Sequence, residues 1–421
     1  MSLQGPLILV ADGPAPDLVD ALTAAGAFPI IESKWTDAPA AFASVKPTAA
    51  VIAEPGLPAN EAAARRLSQQ IATAAGVLVP VVARVRGNWH AALPIALPVD
   101  AAFPVERLIA RLQWAMRVRA LHATVLRRIE TFAGPAGRLP ALPLGDALDD
   151  ATMLIAGRGP LYPKLSVAMG ERVKVLGALS VEGAARQLHA HDIDGIVVGD
   201  GFSPRRVLAF LTVLAQDARF RDVPLALIGE ATPELIAALP NVDHIDGDPA
   251  RLVARMLPLV RMHAFEAWLT RMLKSLDANG MFDPQTGLHS RDAFCRELAK
   301  CAAEAAERGI PLSLACLSFD GAGDSRIGKD AARLLTRLIR AVDFACHDED
   351  GALLIAFTQT DLRSAHVVAR RIAAQIKSAL LAPHSGRDAI AANLTLATLK
   401  ADDTLDSLLS RVTSGRMVAA E

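Results

Sequence analysis

The chain has 421 residues and a formal net charge of −1, with 52% hydrophobic and 21% charged residues. At roughly 100–200 residues per domain, this length predicts about three domains with packed cores. The balanced charge excludes a global basic field for nucleic acid or anionic membrane, and apolar runs such as Leu7–Ala11 are far shorter than the roughly 20 residues of a membrane span. We therefore expect no membrane insertion and no nucleic-acid partner. The four cysteines form no C-x-x-C pair, so we expect a reduced, cytoplasmic protein.

Short apolar runs alternate with helical segments in residues 1–133. The predicted strands are Leu7–Ala11, Phe28–Ile31, Ala49–Ala53, Val77–Ala83 and Ala92–Leu97. Strands that alternate with helices favour a parallel, doubly wound α/β sheet. The segment Val105–Phe132 continues as a long helix whose apolar stripe is typical of domain packing or a dimer contact. Residues 135–143, rich in Pro, Gly and Ala, predict a linker.

This spacing resembles the receiver domain of response regulators, a flavodoxin-like fold. In that family an aspartate after the third strand accepts a phosphoryl group, an acidic pair binds Mg²⁺, and a lysine contacts the phosphate. Here Glu54 has the acceptor position, Asp12 alone remains of the pair, and Leu97 stands at the lysine position. Phosphoryl transfer needs carboxylate, metal and charge clamp together, so we expect no phosphorylation. Glu54 is either a mimic of the charged state or a residual polar side chain.

Residues 150–276 repeat the pattern with strands at 153–156, 173–176, 195–198 and 225–228. Asp200 takes the acceptor position, but Ala156-Gly157 replaces the acidic pair, and Gly247 or Asp248 stands where the lysine belongs. The resemblance implies a second degenerate receiver-like domain, in which we expect Asp200 to stay unphosphorylated and the domain to pair with the first. A connector helix over 250–276 follows and ends at Asp277-Ala-Asn-Gly280.

The stretch Asp283–Phe294 reads D-P-Q-T-G-L-H-S-R-D-A-F. It resembles D-x-L-T-G-L-x-N-R-x-x-F, the opening motif of the GGDEF domain, whose family condenses two GTP molecules into cyclic di-GMP. Gln285 departs from the motif and Ser290 is a soft replacement. The resemblance implies an α+β, nucleotidyl-cyclase-like domain over residues 280–421, with Leu312–Phe319 as its first central strand.

The catalytic features of that family are missing. The signature pentapeptide aligns with Glu349-Asp-Gly-Ala-Leu353, and Ser318 occupies the first metal position, with Asp320 two residues further on. The segment between Asp320 and Arg340 is shorter than the family pattern, and we expect no helix before Ser414. Cyclisation needs two Mg²⁺ ions, so we expect no catalytic residue, no metal and no enzyme activity.

The spacing Arg340-Ala-Val-Asp343 by itself is most typical of a local ion pair. Arginine also holds phosphate oxygens or the guanine edge in paired bonds, and aspartate accepts from guanine N–H groups. In the resemblance, Arg340, Asp343 and Arg371 take the positions of the family's inhibitory site, which implies cyclic di-GMP as ligand. The alternative hypothesis is a relic site that binds no ligand and in which Arg340 and Asp343 pair with each other. Further arginines from the middle domain are candidates for the same ligand: Arg172, Arg205 and Arg206.

The order receiver, receiver, GGDEF resembles one family of response regulators over essentially the whole chain. Its non-catalytic members imply a homodimeric adaptor that recruits client and adaptor proteins of a protease pathway, in cell-cycle regulated proteolysis and at a cell pole. Two alternatives stay open. One is a ligand-independent scaffold, and the other is a residual diguanylate cyclase with Asp320 or Glu349 as a new metal ligand.

Overall fold

The computed structural model describes residues 3–53, 57–73, 76–85, 93–132, 146–220, 222–229, 242–277, 282–283, 285–319, 325–348, 350–381 and 392–413. Glu54, Asp320, Glu349 and the predicted linker lie outside these ranges. The chain forms two compact units, one from residues 6–119 and 142–269, the other from 1–5, 120–141 and 270–421. None of the described helices is both long and apolar enough to span a bilayer.

The first sheet of the first unit is parallel in its β1–β3, β3–β4 and β4–β5 pairs and has the order β2-β1-β3-β4-β5. Its strands are β1 (Gln4–Val10), β2 (Phe28–Ser33), β3 (Ala49–Ile52), β4 (Val81–Val85) and β5 (Ala96–Asp100). Its helices are α1 (Pro16–Ala24), α2 (Ala38–Val45), α3 (Leu57–Thr73) and α4 (Val105–Phe132). This strand order is that of flavodoxin-like doubly wound folds.

The second sheet repeats that order, β10-β9-β8-β6-β7, with parallel pairs throughout. Its strands are β6 (Thr152–Ala156), β7 (Lys174–Ala178), β8 (Gly195–Val198), β9 (Leu225–Ile228) and β10 (Val242–Ile245). Its helices are α5 (Tyr162–Gly170), α6 (Val181–Ala190), α7 (Pro204–Gln216) and α8 (Pro249–Asp277). The expectation of an α/β fold with parallel sheets is confirmed. Strand β10 escaped prediction because Asp243 and His244 interrupt its apolar run.

The second unit contains an antiparallel sheet with the order β12-β13-β11-β14. Its strands are β11 (Leu312–Phe319), β12 (Phe344–His347), β13 (Leu353–Thr358) and β14 (Ala392–Thr398). Its helices are α9 (Arg291–Arg308), α10 (Ser325–Leu338), α11 (Leu362–Leu381) and α12 (Leu405–Thr413). The expectation of no helix before Ser414 was wrong. Leu405, Leu408 and Val412 follow helical spacing, and the last two are fully buried.

Two reciprocal ion pairs join the parallel sheets inside the first unit. Arg111 of α4 contacts Asp243 of β10 (Nη2···Oδ2 3.2 Å), and both side chains are almost fully buried. Arg255 of α8 contacts Asp100 at the end of β5 (2.6 Å). Each long helix therefore bonds to the last strand of the other sheet. The apolar stripe of α4, which allowed domain packing or a dimer contact, is buried by the chain itself.

Residues 120–132 of α4 pack in the second unit through further buried charges. Arg127 contacts Glu304 (3.0 Å) and Arg128 contacts Glu297 (3.5 Å), both on α9. Glu297 also contacts His289 (3.0 Å) and has no exposed side-chain area. Burial disfavours its ionisation, but the His289 and Arg128 contacts prevail and lower the pKa of the Glu297 carboxyl. This end of α4 is consequently held by charge as well as by apolar packing.

We predict that Asp243→Ala lowers the free energy of unfolding by about 3–5 kcal/mol, because it leaves the Arg111 guanidinium buried without its carboxylate. The measurement is urea unfolding of the full chain. Asp246→Ala is the matched control, since Asp246 pairs with Arg251 on the surface and such pairs contribute at most about 1 kcal/mol. Equal losses in both variants would contradict the prediction.

Candidate functional site

The GGDEF-like opening motif forms a turn and the start of a helix. The Asp283 carboxylate accepts hydrogen bonds from the Gln285 amide (3.0 Å) and the Thr286 hydroxyl (2.8 Å). Gly287 has φ +72°, a conformation that favours glycine. Ser290 then caps α9 by accepting from the Ala293 amide (3.3 Å). These bonds and this backbone conformation explain the residue types at Asp283, Thr286, Gly287 and Ser290 by local structure.

Asp343 closes a turn between α10 and β12. Its amide donates to the Arg340 carbonyl (3.0 Å), and its carboxylate Oδ1 accepts from the Thr358 amide (3.0 Å) at the end of β13. The Thr358 hydroxyl donates to the Val342 carbonyl (3.1 Å) on the same turn. Asp343 is only 3% exposed. All of its side-chain hydrogen bonds to described residues fall on Oδ1, which leaves Oδ2 as an acceptor for a further donor.

Arg340 and Arg371 are exposed, on the turn after α10 and on α11 respectively. Neither guanidinium forms an ion pair or a hydrogen bond with any residue that the structure describes. The local pair between Arg340 and Asp343, which the spacing alone would favour, is absent among these contacts. The carboxylate bonds to Thr358 through Oδ1, and Arg340 acts on it through its charge. Both helices pack their apolar faces into one core, through Ala331, Leu335, Ala369 and Ile372 among others.

Burial raises the pKa of the Asp343 carboxyl to about 7, although the Thr358 amide and the charge of Arg340 act in the opposite direction. The group therefore changes charge close to neutral pH. A buried carboxyl of this kind donates when it is protonated and accepts when it is ionised. Thr358 is the hydrogen-bond partner of Asp343 that the sequence did not predict, because the bond depends on the pairing of two strands.

The β12–β13 hairpin occupies the place of the missing signature. Its turn is closed by the Asp348 amide, which donates to the Ala352 carbonyl (2.8 Å), and Gly351 has φ +80°. Ala352 and Leu353 are fully buried in the core. The side chains at these two signature positions thus pack inward and offer no metal ligand. Ser318 stands on β11, which pairs with β13 beside this hairpin.

Asp200 lies after β8 at the carboxyl edge of the second sheet. It lines a cleft of ≈ 220 Å³ together with Gly201, Phe202, Ile228 and neighbouring residues. The backbone of Gly159 covers its carboxylate so closely that an added Cβ there would lie 2.1 Å from Oδ2. Asp12 is exposed after β1. No cluster of three or more metal-ligating side chains occurs among the described residues.

The three arginines considered as additional ligand contacts are all exposed and lie in the first unit: Arg172, Arg205 and Arg206. The three residues predicted to bind the ligand, Arg340, Asp343 and Arg371, lie in the second unit. Within it, the structure ties Arg340 to Asp343 through one turn. Asp343 faces inward, whereas Arg340 and Arg371 face solvent.

No known protein-family profile matches the chain, and no curated protein matches it. Several solved structures do. The coiled coil and GGDEF domain of DgcB from Caulobacter crescentus, in complex with c-di-GMP, is 22% identical over 41% of this chain and 93% of its own, with a TM-score of 0.31. The GGDEF domain of FimX from Pseudomonas aeruginosa is 19% identical over 34% of this chain and 94% of its own, with a TM-score of 0.28.

A third similar structure is the diguanylate cyclase SiaD from Pseudomonas aeruginosa in complex with its activator SiaC. It is 19% identical over 40% of this chain and 71% of its own, with a TM-score of 0.31. These likenesses are remote. Function is therefore inferred below from this chain's own residues and contacts.

We predict that Asp343 makes folding stability fall as pH rises from about 4 to about 7. Its folded-state pKa of about 7 lies above the ordinary value of 3.8, so the folded state binds more protons in this window and loses that advantage as the carboxyl ionises. Asp343→Asn keeps an oxygen for the Thr358 amide but does not titrate. Urea unfolding at several pH values should show the wild type losing stability relative to this variant.

Asp361→Asn is the control of opposite sign. The Ser364 amide lowers the pKa of Asp361, so its contribution is present above about pH 4 and is lost as pH falls. If the difference between wild type and Asp343→Asn is the same at every pH, the assignment of Asp343 is wrong.

Proposed function

We propose that this protein is a cyclic di-GMP-binding effector without cyclase activity, and that Arg340, Asp343 and Arg371 form its ligand site. One observation carries the proposal. The guanidinium groups of Arg340 and Arg371 are exposed without ionic partners among the described residues. Arg340 also lies on the turn that ends at the inward-facing Asp343, whose Oδ2 has no hydrogen bond to a described residue. Exposed arginines together with a buried acceptor suit a ligand that has both phosphate groups and N–H donors.

Each residue has a distinct role in this proposal. The two arginines supply paired N–H donors for phosphate oxygens or for the O6/N7 edge of guanine. Asp343 Oδ2 accepts from the guanine ring and amino N–H groups, which adenine does not offer in the same pattern. The Thr358 amide holds Asp343 Oδ1 in place, so the acceptor is fixed before the ligand arrives and less ordering is required on binding.

The rest of the chain acts as the adaptor in this proposal. The two doubly wound sheets serve as degenerate receiver-like domains that pair with each other and dock other proteins. Neither Glu54 nor Asp200 is phosphorylated, in keeping with the glycine backbone that covers the Asp200 carboxylate. By resemblance, the partners are client and adaptor proteins of a protease pathway, with assembly as a homodimer and recruitment to a cell pole.

The hairpin supports the proposed absence of cyclase activity. Catalysis would need Mg²⁺ held by carboxylates beside a glycine turn that admits GTP. Ala352 and Leu353 fill that place with buried side chains, and the position of the first metal ligand is Ser318. In this proposal, cyclic di-GMP regulates the binding of other molecules and does not regulate a reaction catalysed by this chain.

A ligand-independent scaffold is the second candidate function. The deep burial of Asp343 and its bond to Thr358 favour it, since both would be needed for folding alone. The two functions differ in the role of Arg340: the effector needs it to bind cyclic di-GMP, whereas the scaffold does not.

We predict that titration calorimetry of the full chain detects cyclic di-GMP binding, and that Arg340→Ala or Arg371→Ala weakens it by at least about tenfold. A hydrogen bond to a charged group contributes about 1.5–3 kcal/mol, which corresponds to this loss or more. Arg363→Ala is the matched control, because Arg363 is also exposed on α11 but is not one of the three proposed ligand residues. Its affinity should remain within about twofold of the wild type.

Absence of binding by the wild type would overturn the proposal. So would equal affinity in Arg340→Ala and the wild type, and that result would favour the scaffold. A thermal-shift comparison of all variants excludes loss of fold as the cause.

We predict that the purified chain produces no cyclic di-GMP from GTP and Mg²⁺. The signature positions Ala352 and Leu353 carry buried apolar side chains and supply no carboxylate for the metal. Product formation measured by chromatography, and its loss in Asp320→Ala, would instead establish the residual cyclase.

A further inference from the structure

Helix α11 exposes a basic stripe that the three proposed ligand residues do not include. Arg363, Val367 and Arg370 follow the spacing i, i+4, i+7, and all three are exposed. The sequence of α11 contains four Lys or Arg residues and no Asp or Glu over its 20 residues. The guanidinium groups of Arg363 and Arg370 form no ion pair or hydrogen bond with any described residue.

The opposite face of α11 already lies in the core, where Ala365, Ala369, Ile372, Ala373 and Ile376 are buried. Val367 is nevertheless 65% exposed and Leu362 46% exposed. These aliphatic side chains are therefore extra to the face that folding requires.

The same charge sign continues on the neighbouring helix. Arg337 is exposed in the last turn of α10, and Arg340 is exposed on the turn that follows. Arg333, one turn earlier, instead donates to the Gln285 carbonyl (3.0 Å) and pairs with Asp330. Helices α10 and α11 share one core, so the basic side chains stand on the outer side of a packed pair.

We propose that the basic stripe, defined as Leu362, Arg363, Val367 and Arg370, is a docking surface for an acidic amphipathic segment of a partner protein. Charge complementarity selects an acidic occupant. The exposed Val367 between two arginines selects a segment that also has aliphatic side chains, because apolar contact removes water from the centre of such an interface. This surface supplies the docking site of the proposed adaptor, and its binding is measurable without cyclic di-GMP.

Nucleic acid fits the stripe less well. The α11 sequence contains no Phe, Tyr or Trp on which bases would stack. The net charge of the whole chain is −1, which gives no broad attraction for a polyanion. An anionic membrane fits poorly too, because the continuous apolar face of α11 is buried in the core and is not free to insert.

The test is fluorescence anisotropy with the full chain and a labelled helical peptide of Glu and Leu, of about 20 residues to match α11. We expect saturable binding at about 0.15 M salt. The double variant Arg363→Glu, Arg370→Glu should weaken it by at least about tenfold through like-charge contacts. Arg205→Glu with Arg206→Glu on α7 is the matched control and should leave binding unchanged.

A second pair of variants tests the apolar centre. Val367→Gln should weaken binding severalfold, whereas Val213→Gln should not, although Val213 is 63% exposed on α7. No peptide binding, or equal loss in both double variants, overturns the proposal. Tighter binding of single-stranded DNA or of phosphatidylserine vesicles than of the peptide overturns it as well. Failure of cyclic di-GMP to bind would reject the proposed function and leave this result intact.

Discussion

The hydrogen bond from the Thr358 amide to the Asp343 carboxylate fixes the turn that carries Arg340 and Asp343, two of the three proposed ligand residues. It joins the turn after α10 to the end of β13 at an N···O distance of 3.0 Å. The carboxylate bonds to Thr358 through Oδ1, while Arg340 is exposed. A spacing that ordinarily yields a surface ion pair thus yields an exposed arginine, without an ionic partner among the described residues, on the same turn as a buried acid. The position of the turn depends on this contact, whereas the raised pKa of Asp343 comes from burial and is moderated by the Thr358 amide.

Buried charge is used repeatedly in this chain, and each time it joins separate elements. Arg111 and Asp243 connect α4 to the last strand of the second parallel sheet, and Arg127 and Glu304 connect α4 to α9. Such pairs add little net stability over apolar packing, but a single mismatched partner is costly. They therefore favour one arrangement of the elements over others. In the first unit, α4 and α8 each bury an arginine against the last strand of the other sheet, so the contacting faces of both helices are covered by the chain itself.

Strand and helix order was largely predictable from sequence, because apolar runs such as 195–198 and 225–228 are bounded by glycine, proline or polar residues. Strand β10 was not predictable, since an aspartate such as Asp243 ordinarily indicates a surface position. Here it is buried against Arg111, which lies 132 positions away in the sequence. Helix α12 was not predicted because the family pattern indicated no helix there. The helical spacing of Leu405, Leu408 and Val412 by itself indicates one. The R-x-x-D spacing drew attention to Arg340 and Asp343, but it did not predict that the Asp343 carboxylate bonds to Thr358. That bond depends on strand pairing, which brings Thr358 to Asp343.

The proposed ligand site and the proposed docking stripe are neighbours on α11, since Arg370 precedes Arg371 in the chain. A ligand with two phosphate groups at Arg371 would reduce the positive potential that an acidic segment meets at Arg370. Charges within about 10 Å remain coupled at 0.1 M salt. Coupling between two binding events is reciprocal, so an acidic partner would weaken the ligand by the same factor by which the ligand weakens the partner. With both proposals in force, cyclic di-GMP acts as a release signal at this surface, through charge alone and without a change in fold.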